Sequence, residues 1–525
     1  MLKRIDHLFA SAYLLLLFCV YPFYVQDGYV DIGEAKSRFF ICVSIAAFFL
    51  LALCAAVHFA AFVRNRKGER RPYFIEWEQI SLTDLCVMLY GVAVFWSYIL
   101  TDYREEALWG TQGWYMGAVP LLLLCGLYFM ISRMWQGGEL IMHGCMAASG
   151  AVFVLGVLNR FSFYPIRFEI LQPDFVSTLG NINWYCGYLS VIAPVGVCLF
   201  LFPKSRAQGK GQALPVRLFY GLYVLICFTA GFCQGSSSVF LWFGALFLIL
   251  LFLAADNRER ILDWTVLVFL WGACAQLVRR LRLLLPGRYN YDTDNLCGYF
   301  TDSPLTLWIC LGAGLLYGWV RMEKKEKDWE KRAGKIRKWL ALSVCLLACL
   351  WLVLSAANTL WGIPSLRDKG MFSLNADWGN GRGCAIYAGA VIWKEMPLVH
   401  KLVGAGPDCF SKYAYSLPET ERLLRECFGA SRLCNAHCEL LTGLVNTGVF
   451  GLVFYIGIFA SFIRDCIKMG RKNTEVILFG VCAFCYLIHN MVSFAQVLNL
   501  PFAFLLMGMG TAVMRKIRRG MLTSP

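Results

Sequence analysis

The feature that most constrains this chain is a recurring series of apolar runs, such as VFLWFGALFLILLFL at residues 239–253. A run of roughly twenty apolar residues is long enough to cross the hydrocarbon core of a bilayer. Inside lipid, every backbone N–H must be bonded internally, so such runs are helices, and their continuity does not fit the alternating strands of a barrel. Hydrophobic residues make up 58% of the 525 residues and charged residues only 16%, where a soluble protein carries about a quarter. The sequence therefore predicts an all-α, polytopic integral membrane protein.

Fourteen segments are candidate transmembrane helices, within one membrane domain that covers residues 1–525. The basic start and first apolar run, MLKRIDHLFASAYLLLLFCVYPFYV, lack a convincing small-residue cleavage site, which favours a first membrane helix over a removed signal peptide. The predicted spans are residues 8–27, 39–63, 82–101, 114–133, 139–159, 184–203, 216–233, 237–255, 261–281, 303–321, 338–356, 439–463, 474–494 and 499–515.

The distribution of Lys and Arg orients these spans. Three loops hold five, four and nine basic residues, at 63–79, 202–217 and 321–338, and the tail MRKIRRG is also basic. If the chain crosses the membrane fourteen times, all of these basic segments lie on the same side of the membrane. Basic loops mark the cytoplasmic side. We therefore expect a multi-pass protein of the cytoplasmic membrane with both termini in the cytoplasm. The net charge of +15 then belongs to these loops, and no nucleic-acid partner is expected.

The threading leaves one large extracytoplasmic loop, residues 357–438, ahead of the C-terminal transmembrane helices at 439–515. A loop this long is usually functional. Within it, SLPETERLLRECFG at 416–429 predicts a short amphipathic helix with a Ser416–Glu419 capping box and a stop at Gly429. We expect its apolar side to lie on the membrane surface or on the transmembrane bundle.

Cysteine is abundant, with 23 residues, but many lie inside apolar runs, where cysteine behaves as a small hydrophobe. Four lie in the large loop, so one or two disulfides are possible there, and the sequence does not assign the pairs. These four are Cys384, Cys409, Cys427 and Cys434.

The chain carries no Walker loop, GxGxxG, HExxH or GxSxG motif, so coupling to ATP has no support and no cofactor is expected. The nearest approach to an acidic metal motif outside the membrane is YDTDN at 291–295, and we expect no metal site there.

Several residues that could carry chemistry lie on the predicted outer side. His437 stands at the mouth of the twelfth span, where an imidazole is either an interfacial residue or a base. Arg279 and Arg280 lie at the end of the ninth span, where they either contact phosphate oxygens or extend to lipid headgroups. Arg382 and the turn GAGPDCF, which contains Gly404, Gly406, Pro407 and Asp408, lie in the large loop.

The stretch 381–451 resembles the C-terminal region of the O-antigen ligase and polymerase superfamily. His437 is followed by Cys438, nine residues, Gly448, two residues and Gly451, which matches the family spacing but departs at the second residue. GAGPDCF is similar to the family turn, with Asp408 where glycine is usual, and Arg382 precedes IYAGAVIW as the family arginine does. STLGNINWYCGYLSVIAP at 177–194 resembles another family segment. QGSSS at 234–238 lacks an arginine that the family often has, so a phosphate contact is missing there or Arg279 and Arg280 replace it.

The resemblance implies a GT-C-like membrane glycosyltransferase that needs no metal. It would transfer or polymerise a glycan from an undecaprenyl-diphosphate-linked donor onto the hydroxyl of a glycan, lipid or other surface acceptor, and membrane lipids would surround it. Arg382, Arg279 and Arg280 would bind the diphosphate, and His437 would be the general base. Gly448 and Gly451 would pack helices. Ligation and polymerisation remain equally open.

Two other classes remain as alternatives. A transporter or flippase of lipid-linked oligosaccharide would suit fourteen spans, but it would be expected to show related halves and charges within the spans. A non-catalytic scaffold or sensor would not need a histidine and arginines on one external face.

Overall fold

The computed structural model describes residues 2–26, 31–64, 80–166, 168, 172–203, 213–323, 327–366, 370–470 and 473–520. The chain is all-α, as predicted. Within the described residues, the only strands are β1 (Phe175–Val176) and β2 (Gly180–Asn181), which pair antiparallel just before a central helix. The loop residues 65–79, 204–212 and 324–326, on which much of the predicted orientation depends, lie outside the described residues.

Twenty α-helices follow one another in the described residues, and most are long and apolar. They are α1 (Leu2–Leu15), α2 (Ile32–Arg64), α3 (Leu82–Ile99), α4 (Arg104–Trp109), α5 (Ala118–Met134), α6 (Glu139–Arg160), α7 (Ile182–Leu201), α8 (Leu214–Cys233), α9 (Val239–Ala254), α10 (Arg258–Leu284), α11 (Leu296–Asp302), α12 (Leu305–Met322), α13 (Lys327–Trp361), α14 (Trp378–Glu395), α15 (Leu398–Val403), α16 (Phe410–Ser416), α17 (Pro418–Phe428), α18 (Glu439–Gly470), α19 (Ile477–His489) and α20 (Leu500–Arg518).

Eleven helical segments in the described part of the chain are long and apolar enough to cross a membrane, and α5, α9 and α19 are shorter apolar helices. The chain is therefore a multi-pass membrane protein, as the apolar runs predict. α1 reaches this length because a π-helical turn (Leu16–Val20) and a 3-10 turn (Tyr21–Phe23) continue it.

The core lies around α7 and α20, whose residues are almost all buried. α7 packs against α8 and α19, and α20 packs against α5 and α19. By contrast, α12 and α13 lie at the periphery and expose most of their apolar side chains. Apolar exposure of this extent is what a lipid-facing helix requires, since lipid replaces the protein core as its surroundings.

One end of the bundle is closed by a network of buried charges, which we call the Asp84 end. Ser81 and Asp84 form a capping box at the start of α3. The Asp84 carboxylate also accepts from Arg515 Nη2 on α20 at 2.8 Å and from Tyr128 Oη on α5 at 3.2 Å, and it pairs with Arg133 Nη1 at 3.5 Å. Three helices are thereby joined at this end.

Residues 378–428 form a helical layer with its own core at the other end. Ala385, Ile392, Phe410 and Leu424 are buried together there, and α14 packs directly on α17. The Leu424 side of α17 therefore packs inside this layer, not on the membrane surface or on the bundle as the sequence suggested. A disulfide joins Cys384 of α14 to Cys427 of α17, while Cys409 and Cys434 remain thiols.

The start of α17 differs from the prediction. The Ser416–Glu419 capping box is wrong, because Leu417 is the N-cap residue and Pro418 opens the helix. Ser416 ends the previous helix, and its hydroxyl donates to the Tyr413 carbonyl at 2.8 Å. Proline is suited to the first helical position because its fixed φ and missing N–H cost nothing there. The stop at Gly429 is confirmed, with φ of 59°.

Candidate functional site

The turn 404–408 is locked against a kink in α18. Gly448 has φ of 67° inside the helix, and a Cβ placed on it would lie 2.3 Å from the Leu402 carbonyl oxygen. A Cβ on Gly404 would similarly lie 2.1 Å from the Asn446 carbonyl oxygen. Ala405 N and Gly406 N donate to the carbonyls of Val445 and Asn446 at 2.9 and 3.1 Å. The glycines at 404 and 448 therefore allow two backbones to touch.

Two further glycines, Gly406 in the turn and Gly451 in α18, each make a different close contact. A Cβ on Gly406, which has φ of 128°, would lie 2.5 Å from Thr101 Oγ1, so this glycine seats the turn against the end of α3. Gly451 meets its own helix, since a Cβ there would lie 2.1 Å from Thr447 Oγ1.

Asp408, which stands where glycine is usual in the resembling family, ties this turn to a second loop. Its Oδ2 accepts from Thr111 N at 2.8 Å and from Met116 N at 3.0 Å, and Thr111 Oγ1 donates to its carbonyl at 2.7 Å. The side chain is buried, and burial raises the pKa of Asp408 to about 7, although the two N–H donors oppose this. The aspartate therefore positions residues 111–116 beside Pro407.

His437 adopts the left-handed backbone conformation, with φ of 48°. This conformation is uncommon for a side chain larger than glycine, and it persists where surrounding contacts enforce it. His437 N donates to Asn435 Oδ1 at 2.9 Å, and the imidazole packs 5.5 Å from the Phe494 ring. Nδ1 is buried without a hydrogen-bond partner among the described residues.

Burial, followed by the positive charge of Arg382, lowers the pKa of His437 to about 4. The imidazole is therefore neutral near pH 7, which is the form that can accept a proton.

Arg382 is brought to the same place by α14. Its Nε donates to the Val492 carbonyl at 3.0 Å and its Nη1 to the Gly379 carbonyl at 2.6 Å. Burial lowers the pKa of Arg382. Within the described part of the chain, no carboxylate pairs with this guanidinium, so its charge is not neutralised by the protein. Two of the predicted site residues, Arg382 and His437, therefore both contact the segment 492–494.

Arg279 and Arg280 occupy a different position. Both lie in the last turns of α10, which continues to Leu284; Arg279 is partly exposed and Arg280 is exposed. Neither makes a hydrogen bond or an ion pair with another described residue. No contact in the described part of the chain joins them to Arg382 or His437.

The QGSSS turn is held by a different arginine, Arg160, which the sequence analysis did not single out. The Arg160 side chain is fully buried, and its donors reach the carbonyls of Cys233 and Gln234 at 2.7 Å each, and that of Pro173. Its donors are therefore used to hold the loops in place. Ser236 Oγ in this turn donates to Asn183 Oδ1 at 3.0 Å. The QGSSS turn therefore contacts the segment 177–194, which the sequence analysis also compared with the family.

A second histidine, His489, ends α19 beside this polar cluster. Its Nε2 lies 3.3 Å from Ser238 Oγ, and the residue is completely buried. Arg382 interacts electrostatically with both His489 and His437, so both histidines lie near one cation.

The segment between α19 and α20 is the part of the site that sequence reasoning missed. The apolar pattern predicts a helix as far as residue 494, but α19 ends at His489, and residues 490–499 run without regular helix while Phe494 and Gln496 are buried. Irregular backbone at this depth is tolerated where protein or a cavity surrounds it. The signal in the sequence was the run Asn490, Ser493 and Gln496, whose polar side chains interrupt the apolar pattern.

No group of three or more His, Cys, Asp or Glu side chains is close enough to hold a metal ion in the described parts of the chain. In YDTDN, Asp292 Oδ1 accepts from Asp294 N at 2.9 Å and Asn295 caps α11, so this stretch forms a turn. Comparisons of the chain with family models and with curated proteins find no match.

Proposed function

We propose that this chain is a membrane glycosyltransferase of the O-antigen ligase or polymerase type. It transfers or polymerises a glycan from an undecaprenyl-diphosphate-linked donor onto an acceptor hydroxyl. The observation that carries this proposal is the pairing of Arg382 and His437 on one buried segment, with Arg382 bonded to the Val492 carbonyl and His437 packed on Phe494.

Arg382 is suited to the diphosphate because it is a partly buried cation with no carboxylate partner in the described residues. Its two hydrogen bonds go to carbonyl oxygens, which fix the orientation of the guanidinium without neutralising it. Fixed donors aimed at developing negative charge are a major source of catalysis in sites that exclude water. Arg382 would stabilise the diphosphate as the bond to the anomeric carbon breaks.

His437 would take the proton of the acceptor hydroxyl. The acceptor oxygen forms a bond to the anomeric carbon, the glycosidic C–O bond to the diphosphate breaks, and the diphosphate leaves with the electron pair. The proton passes to a ring nitrogen of the neutral imidazole, as in general base catalysis. Burial and the charge of Arg382 lower the pKa of His437, and a bound diphosphate would offset that charge and make the imidazole more basic.

The proposal includes fourteen spans in a GT-C-like arrangement, with both termini in the cytoplasm. The site then opens at the outer leaflet, where the polyprenyl chain of the donor can remain in lipid. Arg279 and Arg280, which are exposed on the same predicted side, would contact lipid or donor phosphates at the membrane surface.

The test is the surface glycan profile of cells that lack the gene and carry wild type or His437→Ala at equal membrane levels. His400→Ala is the matched control, since His400 lies in α15 and packs on Tyr413. We expect His437→Ala to accumulate lipid-linked or short glycan and to lose the mature polymer, and the His400 variant to keep it. Full polymer with His437→Ala would contradict the proposal and favour the transporter of lipid-linked oligosaccharide.

A further inference from the structure

A narrow cavity lies beside His437, between α3, α18 and the turn at Pro407. Its wall combines carboxylates and an amide with aromatic rings. The wall includes Asp408, Glu439, Asn446, Tyr90, Trp114 and Phe494. Phe494 also packs on the His437 imidazole, and Asn435 accepts from His437 N, so the cavity lies next to His437.

The two carboxylates in this wall lack a positive partner among the described residues. Asp408 Oδ2 accepts from two backbone N–H groups, and Glu439 Oε2 accepts from Ala495 N at 2.7 Å. No described side chain or backbone group donates to the second oxygen of either carboxylate. The two groups also repel each other, since each carries the same charge when ionised. A cation between them would remove this repulsion.

Asn446 gives an independent indication of a ligand. Its side chain is about nine-tenths buried and lines the cavity, and its Oδ1 has no hydrogen-bond partner among the described residues. A buried acceptor without a donor costs about 1–3 kcal/mol. The polar atoms of this wall that lack a hydrogen-bond partner among the described residues are therefore mainly acceptors. A ligand that satisfies them must bring several N–H donors.

The aromatic rings indicate which class of donor group fits the cavity. Trp114 and Phe494 pack edge to face with centroids 5.7 Å apart, and Tyr90 completes this side of the wall. Ring faces attract ammonium groups, and cages of aromatic rings with acidic side chains are a common way to bind them. A divalent metal would need a larger set of oxygen ligands than two separate carboxylates.

We propose that this cavity binds the ammonium group of an amine-bearing substrate, either an amino sugar or an ethanolamine phosphate substituent. Its role as the acceptor subsite rests on the proposed function, since it would place a hydroxyl of that substrate beside His437. The binding itself does not depend on transfer, so it can be measured separately.

The experiment measures ligand binding to the full-length protein in detergent micelles by saturation-transfer NMR. The probes are methyl glucosaminide, methyl N-acetylglucosaminide and phosphoethanolamine. The variant is Glu439→Gln, which keeps an acceptor for Ala495 N, and the control is Asp102→Asn, an exposed carboxylate at the end of α3. His437→Ala is included because it should abolish transfer but leave binding of the probes intact.

We expect an amine probe to bind at least about tenfold more tightly than the N-acetyl probe, because acetylation removes the charge. Glu439→Gln should remove this preference, and Asp102→Asn should keep it. Preference between the glucosaminide and phosphoethanolamine then identifies the source of the ammonium group. Equal binding of the amine and N-acetyl probes, unchanged binding by Glu439→Gln, or no binding of any amine probe would overturn the inference. If the wild-type protein binds no amine probe while its transfer still depends on His437, this inference is overturned and the proposed function stands.

Discussion

The two ends of the bundle differ in whether their buried charged groups have partners of opposite charge. At the Asp84 end, one carboxylate receives two arginines, a tyrosine hydroxyl and its own capping serine. At the other end, Arg382 has only two carbonyl oxygens, and Asp408 and Glu439 have only backbone N–H groups. The first set of charges is fully paired, while the second leaves a guanidinium and two carboxyl groups without an oppositely charged partner among the described residues.

This difference separates a structural network from a binding site. A buried charge without a counter-charge is costly, and ionisable groups in such surroundings cluster at functional sites. The backbone shows the same contrast, since Asp408 and His437 both adopt the left-handed conformation, which is strained for residues other than glycine. Strain and unpaired charge thus coincide at the end that carries His437.

The largest expected effect on stability lies at the Asp84 end. Arg515→Ala leaves Asp84 buried with Arg133, at the longer distance, as its only cationic partner among the described residues, so we expect the free energy of unfolding to fall by about 3–5 kcal/mol. Unfolding in detergent measures this change. Arg518→Ala is the control, because its pair with Asp465 is partly exposed at 3.6 Å and should contribute less than about 1 kcal/mol. Equal losses in both variants would mean that the Asp84 network is not a closed structural unit.

A smaller effect is expected where the turn 404–408 meets α18. Gly448→Ala combines a positive φ with a clash against the Leu402 carbonyl, and we expect a loss of about 1–3 kcal/mol together with impaired transfer. Gly443→Ala lies in the same helix with open space around it, and it should be neutral or slightly stabilising. Thermal unfolding of the two variants compares them directly. Tolerance of alanine at both positions would contradict the backbone contact.

The pH dependence that Asp408 contributes has the smallest expected effect on stability over a single pH unit. Its pKa is raised to about 7 in the folded protein from 3.8, so the folded state holds the proton more tightly than the unfolded state. Stability is therefore fully present below about pH 4 and is lost as the pH rises to about 7, by at most about 1.4 kcal/mol per pH unit. Asp408→Asn should remove this slope while keeping an acceptor for Thr111 and Met116. An identical pH profile in wild type and variant would show that Asp408 is not buried as described.

The sequence predicts the helices well because each apolar run has the length that a bilayer requires. All fourteen predicted segments overlap an apolar helix, and the Gly429 stop is found where the pattern places it. The sequence predicts the start of α17 less well, because a capping box and a proline at the first helical position indicate different first residues. The helix begins at Pro418.

The site is harder to predict because it is assembled from distant segments. His437 and Arg382 can be singled out from spacing and resemblance, but their common support, the carbonyl of Val492 and the ring of Phe494, lies in a run that reads as a continuous helix. The Cys384–Cys427 pair likewise depends on how α14 packs against α17. Trp114 becomes a site residue only because Asp408 positions the loop 111–116.

The most direct test of a shared site for Arg382 and His437 is a double-mutant cycle on transfer. Purified wild type, His437→Ala, Arg382→Gln and the double variant are added to membranes that lack the native protein and contain its lipid-linked glycan. Loss of a positioned donor costs about 10²–10³ in rate and loss of a general base about 10²–10⁴. We expect each single variant to fall in this range, and the double variant to lose little more than the worse single one, because residues that act in one step are not additive. Wild-type transfer by His437→Ala, or fully multiplicative losses in the double variant, would contradict the account.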